Sequence, residues 1–198
     1  MLRRALRWYD GSYAKWPMRL AFATCTAKAL ASDVVSQKQL ESAVSLDAPR
    51  SAKFALYNGL YCGCFQHLLY NRVYPALLGA AGPGAGAAVV ARTLAFEMCV
   101  HFPLGALPAY YASNALLTGG TAAAGLRRYA DEFETVMATV CKIWLPAHLV
   151  TFALVPVNFR IAWVASVSFC WLVVLSHMAP MASAADDDAG GGGSVNEQ

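Results

Sequence analysis

Nine ionisable side chains stand within or at the edges of apolar stretches of this chain: Lys28, Asp33, His67, Arg92, Glu97, His101, Lys142, His148 and Arg160. Carboxylates, imidazoles and ammonium groups spread along apolar helices can do one of two things. They can line a path for ions, protons or small polar solutes, or pair with one another so that none is left unsatisfied away from water. Glu97 and His101 are four residues apart and share a helix face, with Arg92 five residues earlier. His148 belongs to a face made with Trp144, Thr151 and Val155. Asp33 and Gln37 share a face one turn apart. For Glu97 and His101 a structural ion pair and a pathway role are both open. For His67 the alternatives are a satisfied interhelical hydrogen bond and a permeation or proton-relay role.

Other chemistries are poorly supported. No H-E-x-x-H, G-x-S-x-G or dinucleotide-binding fingerprint occurs, so an enzyme is not expected. The cysteines (Cys25, Cys62, Cys64, Cys99, Cys141 and Cys170) form no C-x-x-C pair, and no histidine is spaced to complete a zinc site. They read as small buried packing residues with free thiols, and neither metal nor other cofactor is implied. A formal charge of +3 with scattered basic residues does not argue for nucleic acid.

The elements that must position the polar set are apolar helices. The chain has 198 residues, is 58% hydrophobic and only 14% charged, against about 25% charged in average soluble domains. Mean hydropathy is +0.42. These values predict an all-α integral membrane bundle of four to five transmembrane helices, near residues 18–37, 53–78, 87–117, 136–155 and 159–178. About 20 apolar residues are needed to cross hydrocarbon. The first is the weakest, because Lys28 lies at its centre and Asp33 near its end. On the second, Gly59 and Gly63 form a G-x-x-x-G step that admits close approach of another helix. The third is interrupted by Pro103 and Pro108. The last two form a C-terminal hairpin carrying Pro146 and Pro156, which free the carbonyls of Lys142 and Phe152 if the helix continues through them. Arg160 is expected at the membrane boundary, its donors on freed carbonyls or on a carboxylate, with Asp33 and Glu97 the candidate acids.

The remaining segments read as connections and ends. Residues 79–86 (G-A-A-G-P-G-A-G) form a loop without the Lys-Ser/Thr ending of a phosphate-binding P-loop. Residues 118–125 read as a Gly/Ala loop and 126–134 as a charged lead-in. Residues 1–16 form a basic amphipathic segment, suited to import or to a membrane interface, or simply a positive flank orienting the first span. The bundle occupies 17–180, and 181–198 is a flexible polar tail.

With these parts laid out, the chain resembles the Mpv-seventeen / 22-kilodalton peroxisomal membrane protein family from about Trp8 to Ser176. Its most specific segment is the hairpin, similar to W-P-x-Q-x-x-N-F-x-x-V-P-x-x-x-R followed by W-x-x-Y-L-S. Pro146, Phe152, Val155, Pro156, Arg160, Trp171, Leu175 and Ser176 stand in register. Leu145, His148, Thr151 and Val174 depart from the pattern. Upstream, Asp33-Val34-Val35-Ser36-Gln37 resembles D-x-x-S-Q, and Asp47 with Arg50 opens the second helix as in the family. Gly59, Gly63, His67 and Tyr70 resemble G-x-x-x-G-P-x-x-H-x-x-Y, with Cys64 replacing the proline. Glu97 and Pro103 take the place of an Asp and a Pro.

The resemblance implies an organelle membrane protein, in the mitochondrial inner membrane or alternatively the peroxisomal membrane. Pore formation or small-metabolite passage is the activity it implies. The contrasting expectation is a non-conducting structural or accessory subunit. The expected partners are the lipid bilayer and a homo-oligomer or larger membrane complex.

Overall fold

In a computed structural model, which describes residues 2–40 and 45–170, the chain is a bundle of helices with no strand among the described residues. Leu2–Lys15 forms α1, whose arginines face outward while Tyr9 and Tyr13 turn inward. Pro17 starts α2 (residues 17–40), where its missing N–H is no loss. Asp47 caps α3 (residues 48–78) by accepting from the Arg50 N–H at 3.0 Å. The Gly-rich loop 79–86 follows, with positive φ at Gly79, Gly82 and Gly84. Then come α4 (Ala87–Leu117), α5 (Ala122–Asp131), α6 (Phe133–Ala153) and α7 (Val157–Cys170), the last opening with a single 3₁₀ turn.

Two of these helices, α4 and α6, are long and apolar enough to cross a membrane. The all-helical membrane fold therefore holds, but four to five spans are not established. Both α2 and α3 cover the expected segments, yet Arg19, Lys28, Asp33 and Lys38 dilute the apolar content of one. Lys53, Gln66, Asn71 and Arg72 do the same to the other. The apolar part of α7 is shorter, and 171–178, with Trp171, Leu175 and Ser176, lie outside the described residues, as does the tail at 181–198.

The Gly59/Gly63 expectation is met. A Cβ on Gly63 would stand 2.7 Å from Phe22 Cα and 2.9 Å from the Ala21 carbonyl oxygen, and one on Gly59 would run into Thr26 and Phe22. Helix α3 therefore packs backbone-close on α2, with the small buried residues Ala21, Cys25 and Ala29 along the facing stripe.

Pro103 does not interrupt α4. Its missing N–H is accommodated where the helix widens to i→i+5 bonding over Glu97–Ala106. Similar wide turns occur in α3 over Gly59–Phe65 and Leu69–Val73. The segment read as a Gly/Ala loop is helical from Ala122, capped by Thr121 Oγ1 accepting from the Ala124 N–H at 3.2 Å. Gly125 lies inside this helix because its missing side chain lets α5 close against the Tyr111 backbone. The cysteine reading needs a similar change. All six thiols are free, but Cys99, Cys141 and Cys170 are on the outside of the bundle and only Cys25 is fully buried.

The core gathers Tyr70 and Tyr74 of α3, Val90 of α4, Phe152 of α6 and Ile161, Val164 and Ala165 of α7. Around it sit the polar groups on which function must rest.

Candidate functional site

Glu97 is at the centre. It projects from the wide turn of α4 and is 0% exposed. Its Oε1 accepts from Tyr70 Oη at 2.7 Å and meets His101 Nδ1 at 3.0 Å. Its Oε2 accepts a short bond from Tyr74 Oη. Gln66 Nε2 donates to Tyr70 Oη at 2.7 Å, so a directional relay runs from Gln66 through Tyr70 to the carboxylate. Along α3, Gln66, Tyr70 and Tyr74 fall at i, i+4 and i+8 on one face, and this is why one helix can deliver all three. On the far side, Tyr61 Oη lies 3.3 Å from His101 Nε2. A buried carboxylate is tolerated only when donors satisfy its lone pairs, and these do.

His148 completes the cluster from α6. Its Nε2 lies 3.6 Å from Glu97 Oε1, beyond a hydrogen bond, and neither ring nitrogen has a hydrogen-bond partner among the described residues. Yet it is only 1% exposed, with its ring stacked between Trp144 and Phe152. It also lines a cavity of about 390 Å³ that enters the bundle between α2, α3, α4, α6 and α7. Lys28, Ser32, Asn58, Tyr61 and Gln66 also face this cavity, whose remaining wall is largely apolar and aromatic. Half-buried Lys28 donates to Asn58 Oδ1 at 3.3 Å.

Two further polar clusters are separate. Asp33 Oδ2 accepts from Ser51 Oγ at 2.5 Å and Gln37 Nε2 at 2.7 Å, and Arg50 lies 3.5 Å from Oδ1. Gln37 Oε1 in turn accepts from the Asp47 N–H at 2.7 Å, tying the end of α2 to the start of α3. His67 Nδ1 meets Tyr13 Oη at 2.9 Å and Asn71 Nδ2 at 2.8 Å. It is the satisfied interhelical contact between α1 and α3, away from Glu97 and the cavity.

Arg160 is 2% exposed and, among the described residues, bonded to carbonyls and not to an acid. Its guanidinium donates to the Ala81 carbonyl in a short bond and from Nε to the Val155 carbonyl at 3.4 Å. These carbonyls belong to the Gly-rich loop and to the turn after α6, so neither the freed carbonyls of Lys142 and Phe152 nor Asp33 and Glu97 hold it. The sequence places both acids within helices whose own neighbours claim them, whereas the loop 79–86 offers open carbonyls beside the α6–α7 turn.

Among the nominated residues, then, Glu97, His101 and His148 come together, with Lys28 across the cavity. Asp33, His67 and Arg160 are buried at three other joints. Arg92 and Lys142 are exposed on the outer face of the bundle and take no part in the polar core. For Arg92 the reason is local: its Nε turns back to the Ala88 carbonyl at 3.2 Å on the face opposite Thr93 and Glu97. Pro146 is accommodated within α6, and Pro156 precedes the turn into α7. The sequence reading does not single out Asn58, Gln66 or Tyr74; their spacing of eight residues along α3 is the signal that could have found them. Among the described residues no group of His, Cys, Asp and Glu is arranged to hold a metal.

An all-helical bundle with two helices long and apolar enough to cross a membrane is that of an α-helical membrane protein. Comparison with known proteins agrees and narrows this. The model of the Mpv17 / PMP22 family matches residues 115–176. Protein SYM1 of Eremothecium gossypii is 27% identical over 178 residues, covering 89% of this chain and 97% of the relative. Protein sym1 of Aspergillus oryzae is 28% identical over 180 residues, 86% and 95% of the two chains. PXMP2/4 family protein 3 of Dictyostelium discoideum is 24% identical over 174 residues, 87% and 89%. No solved structure matches. The chain is thus similar to the Mpv17 / PMP22 family in its C-terminal part and to SYM1 and PXMP2/4 proteins over most of its length, a likeness that supports an organelle membrane protein. The mitochondrial inner membrane and the peroxisomal membrane both fit that family.

Proposed function

We propose that this protein lets small solutes pass its membrane through the cavity between α2, α3, α4, α6 and α7, and that it is not an enzyme. The observation that carries this reading is the cavity itself. A space of about 390 Å³ reaches from the Lys28–Asn58 pair to His148, whose ring nitrogens lack partners among the described residues. A purely structural core would close such a space or satisfy such a group. The basic helix α1 favours the mitochondrial inner membrane, with the peroxisomal membrane as the alternative. Under this reading the partners are lipid and either further copies of the chain or a larger membrane complex, not nucleic acid.

A second reading has its own support. Glu97 and Asp33 are both fully engaged by neighbouring side chains, as expected of a non-conducting accessory subunit. Osmotic swelling of vesicles carrying the purified full chain separates the two. Solute-size-dependent swelling supports passage. Vesicles as tight as protein-free ones, with the protein folded and inserted, support the accessory role.

A further inference from the structure

We propose that the cavity favours anions over cations and that Lys28 sets this preference. This rests on the passage reading and names its solute class as small inorganic anions and organic acids. Among the described residues that line the cavity, Lys28 is the one fully charged side chain, and no Asp or Glu accompanies it. The nearest acids are turned elsewhere. Glu97 is sealed behind His148 by Tyr70, Tyr74 and His101. Asp33, although next to Ser32 of the lining, directs its oxygens at Ser51, Gln37 and Arg50.

The lining also supplies donors. Of the three N–H groups on Lys28, one goes to Asn58 Oδ1 at 3.3 Å, which leaves donors for a bound oxyanion or halide. A neutral imidazole always carries one N–H, and that of His148 has no acceptor among the described residues within hydrogen-bond reach. The hydroxyls of Ser168 and Thr139 donate back to the Val164 and Thr135 carbonyls, so their oxygens offer the cavity lone pairs but no formal charge to offset Lys28. A cation entering would face an ammonium with no carboxylate to offset it, in surroundings where charges are weakly screened. Selectivity by a fixed charge in a narrow, low-dielectric passage follows from the same electrostatics that govern ion channels. The aromatic walls, Tyr57, Tyr61, Phe102 and Trp144, give the carbon part of an organic acid an apolar surface.

The test is charge selectivity of the full chain in planar bilayers between unequal KCl solutions. The zero-current voltage should lie on the chloride side. Lys28→Gln should reduce the chloride-to-potassium permeability ratio severalfold, and Lys28→Arg should keep it. A potassium-preferring parent, or a ratio indifferent to Lys28→Gln, would overturn the proposal. Absence of any current counts against passage itself, so a second measurement reads the cavity alone. Cys62 lines it and can be left as the sole thiol by replacing Cys25, Cys64, Cys99, Cys141 and Cys170. With each rate divided by that of the same reagent towards a small free thiol, sulfonatoethyl methanethiosulfonate should be favoured at Cys62 over the trimethylammonioethyl reagent, and Lys28→Gln should remove that preference. A normalised preference for the cationic reagent, or reaction of neither, refutes the anion preference.

Discussion

Replacing Gly63 by alanine probes the contact on which the bundle's first half depends. The new Cβ would stand 2.7 Å from Phe22 Cα and 2.9 Å from the Ala21 carbonyl oxygen. Carbon atoms pack best at roughly 3.5–4.0 Å, so α3 must retreat from α2 by about an ångström. Both obstructing atoms are backbone, so no side chain can rotate aside and the strain falls on the whole helix pair. Overpacking of this kind costs about 1–3 kcal/mol. Alanine recovers roughly 0.8–1.0 kcal/mol of helix propensity, leaving a net loss of up to about 2 kcal/mol. For a chain of this length that corresponds to a fall in melting temperature of about 2–4 °C per kcal/mol. Gly11→Ala is the internal control: nothing lies within 4 Å of its added Cβ, in the middle of α1. It should hold or raise the melting temperature. Thermal unfolding of both variants in the same detergent decides the matter. A Gly63→Ala protein as stable as Gly11→Ala would show that α2 and α3 do not meet at this step.

Three further outcomes follow from the buried polar groups. Arg160→Leu leaves the Ala81 and Val155 carbonyls without their donor, at about 1–3 kcal/mol for each that stays buried. Arg160→Lys should cost less but still lower the melting temperature, and parental melting in both would remove Arg160 from the account. Glu97→Leu strands the Tyr70, Tyr74 and His101 donors, whereas Glu97→Gln keeps the shape and an acceptor. The Leu variant should therefore melt well below the Gln variant, and equal melting would deny that Glu97 organises the core. At the α5–α6 joint, Tyr111 donates to Glu132 at 2.6 Å and Arg128 pairs with it at 2.7 Å. The tyrosine first and then the arginine hold the Glu132 carboxyl below its usual range. A depressed folded-state value gives a contribution fully present above the unfolded value of about 4.3 and lost as pH falls through the folded one. Glu132→Gln should flatten that part of the stability–pH curve, and an unchanged acid limb would discount the pair.

The sequence was most informative where spacing alone fixes geometry. Gly59 and Gly63 at one helical step, and Glu97 with His101 at another, could be placed without coordinates, because neighbours on one helix are set by its pitch. Partners across the bundle were not legible in this way. Arg160 is expected on freed carbonyls or on a carboxylate because a buried guanidinium needs acceptors. The acceptors are instead the Ala81 carbonyl of the Gly-rich loop, 79 residues away in sequence, and the Val155 carbonyl of the turn after α6, neither of which carries a sequence signature. Tyr13 was likewise invisible as the partner of His67, since nothing local to α1 says which helix it covers. Arg92 and Lys142 were overcalled because a charge within an apolar run was read as buried, while both lie on the outer face of their helices. Gly125 misled in the other direction. A glycine among alanines reads as a loop, but here it is the close-contact residue of a helix.

The central claim is that solutes pass through the cavity beside His148, and blocking it tests this most directly. Ala106 lines the cavity without touching the Glu97 cluster's hydrogen bonds, so Ala106→Trp should fill the space and leave the polar core intact. Bilayer conductance of the full chain, recorded for the parent and for Ala106→Trp at matched insertion, is the measurement. The account predicts steady conductance in the parent and its loss in the variant, with the variant melting close to the parent. A silent parent, or a variant that conducts as the parent does, would contradict it.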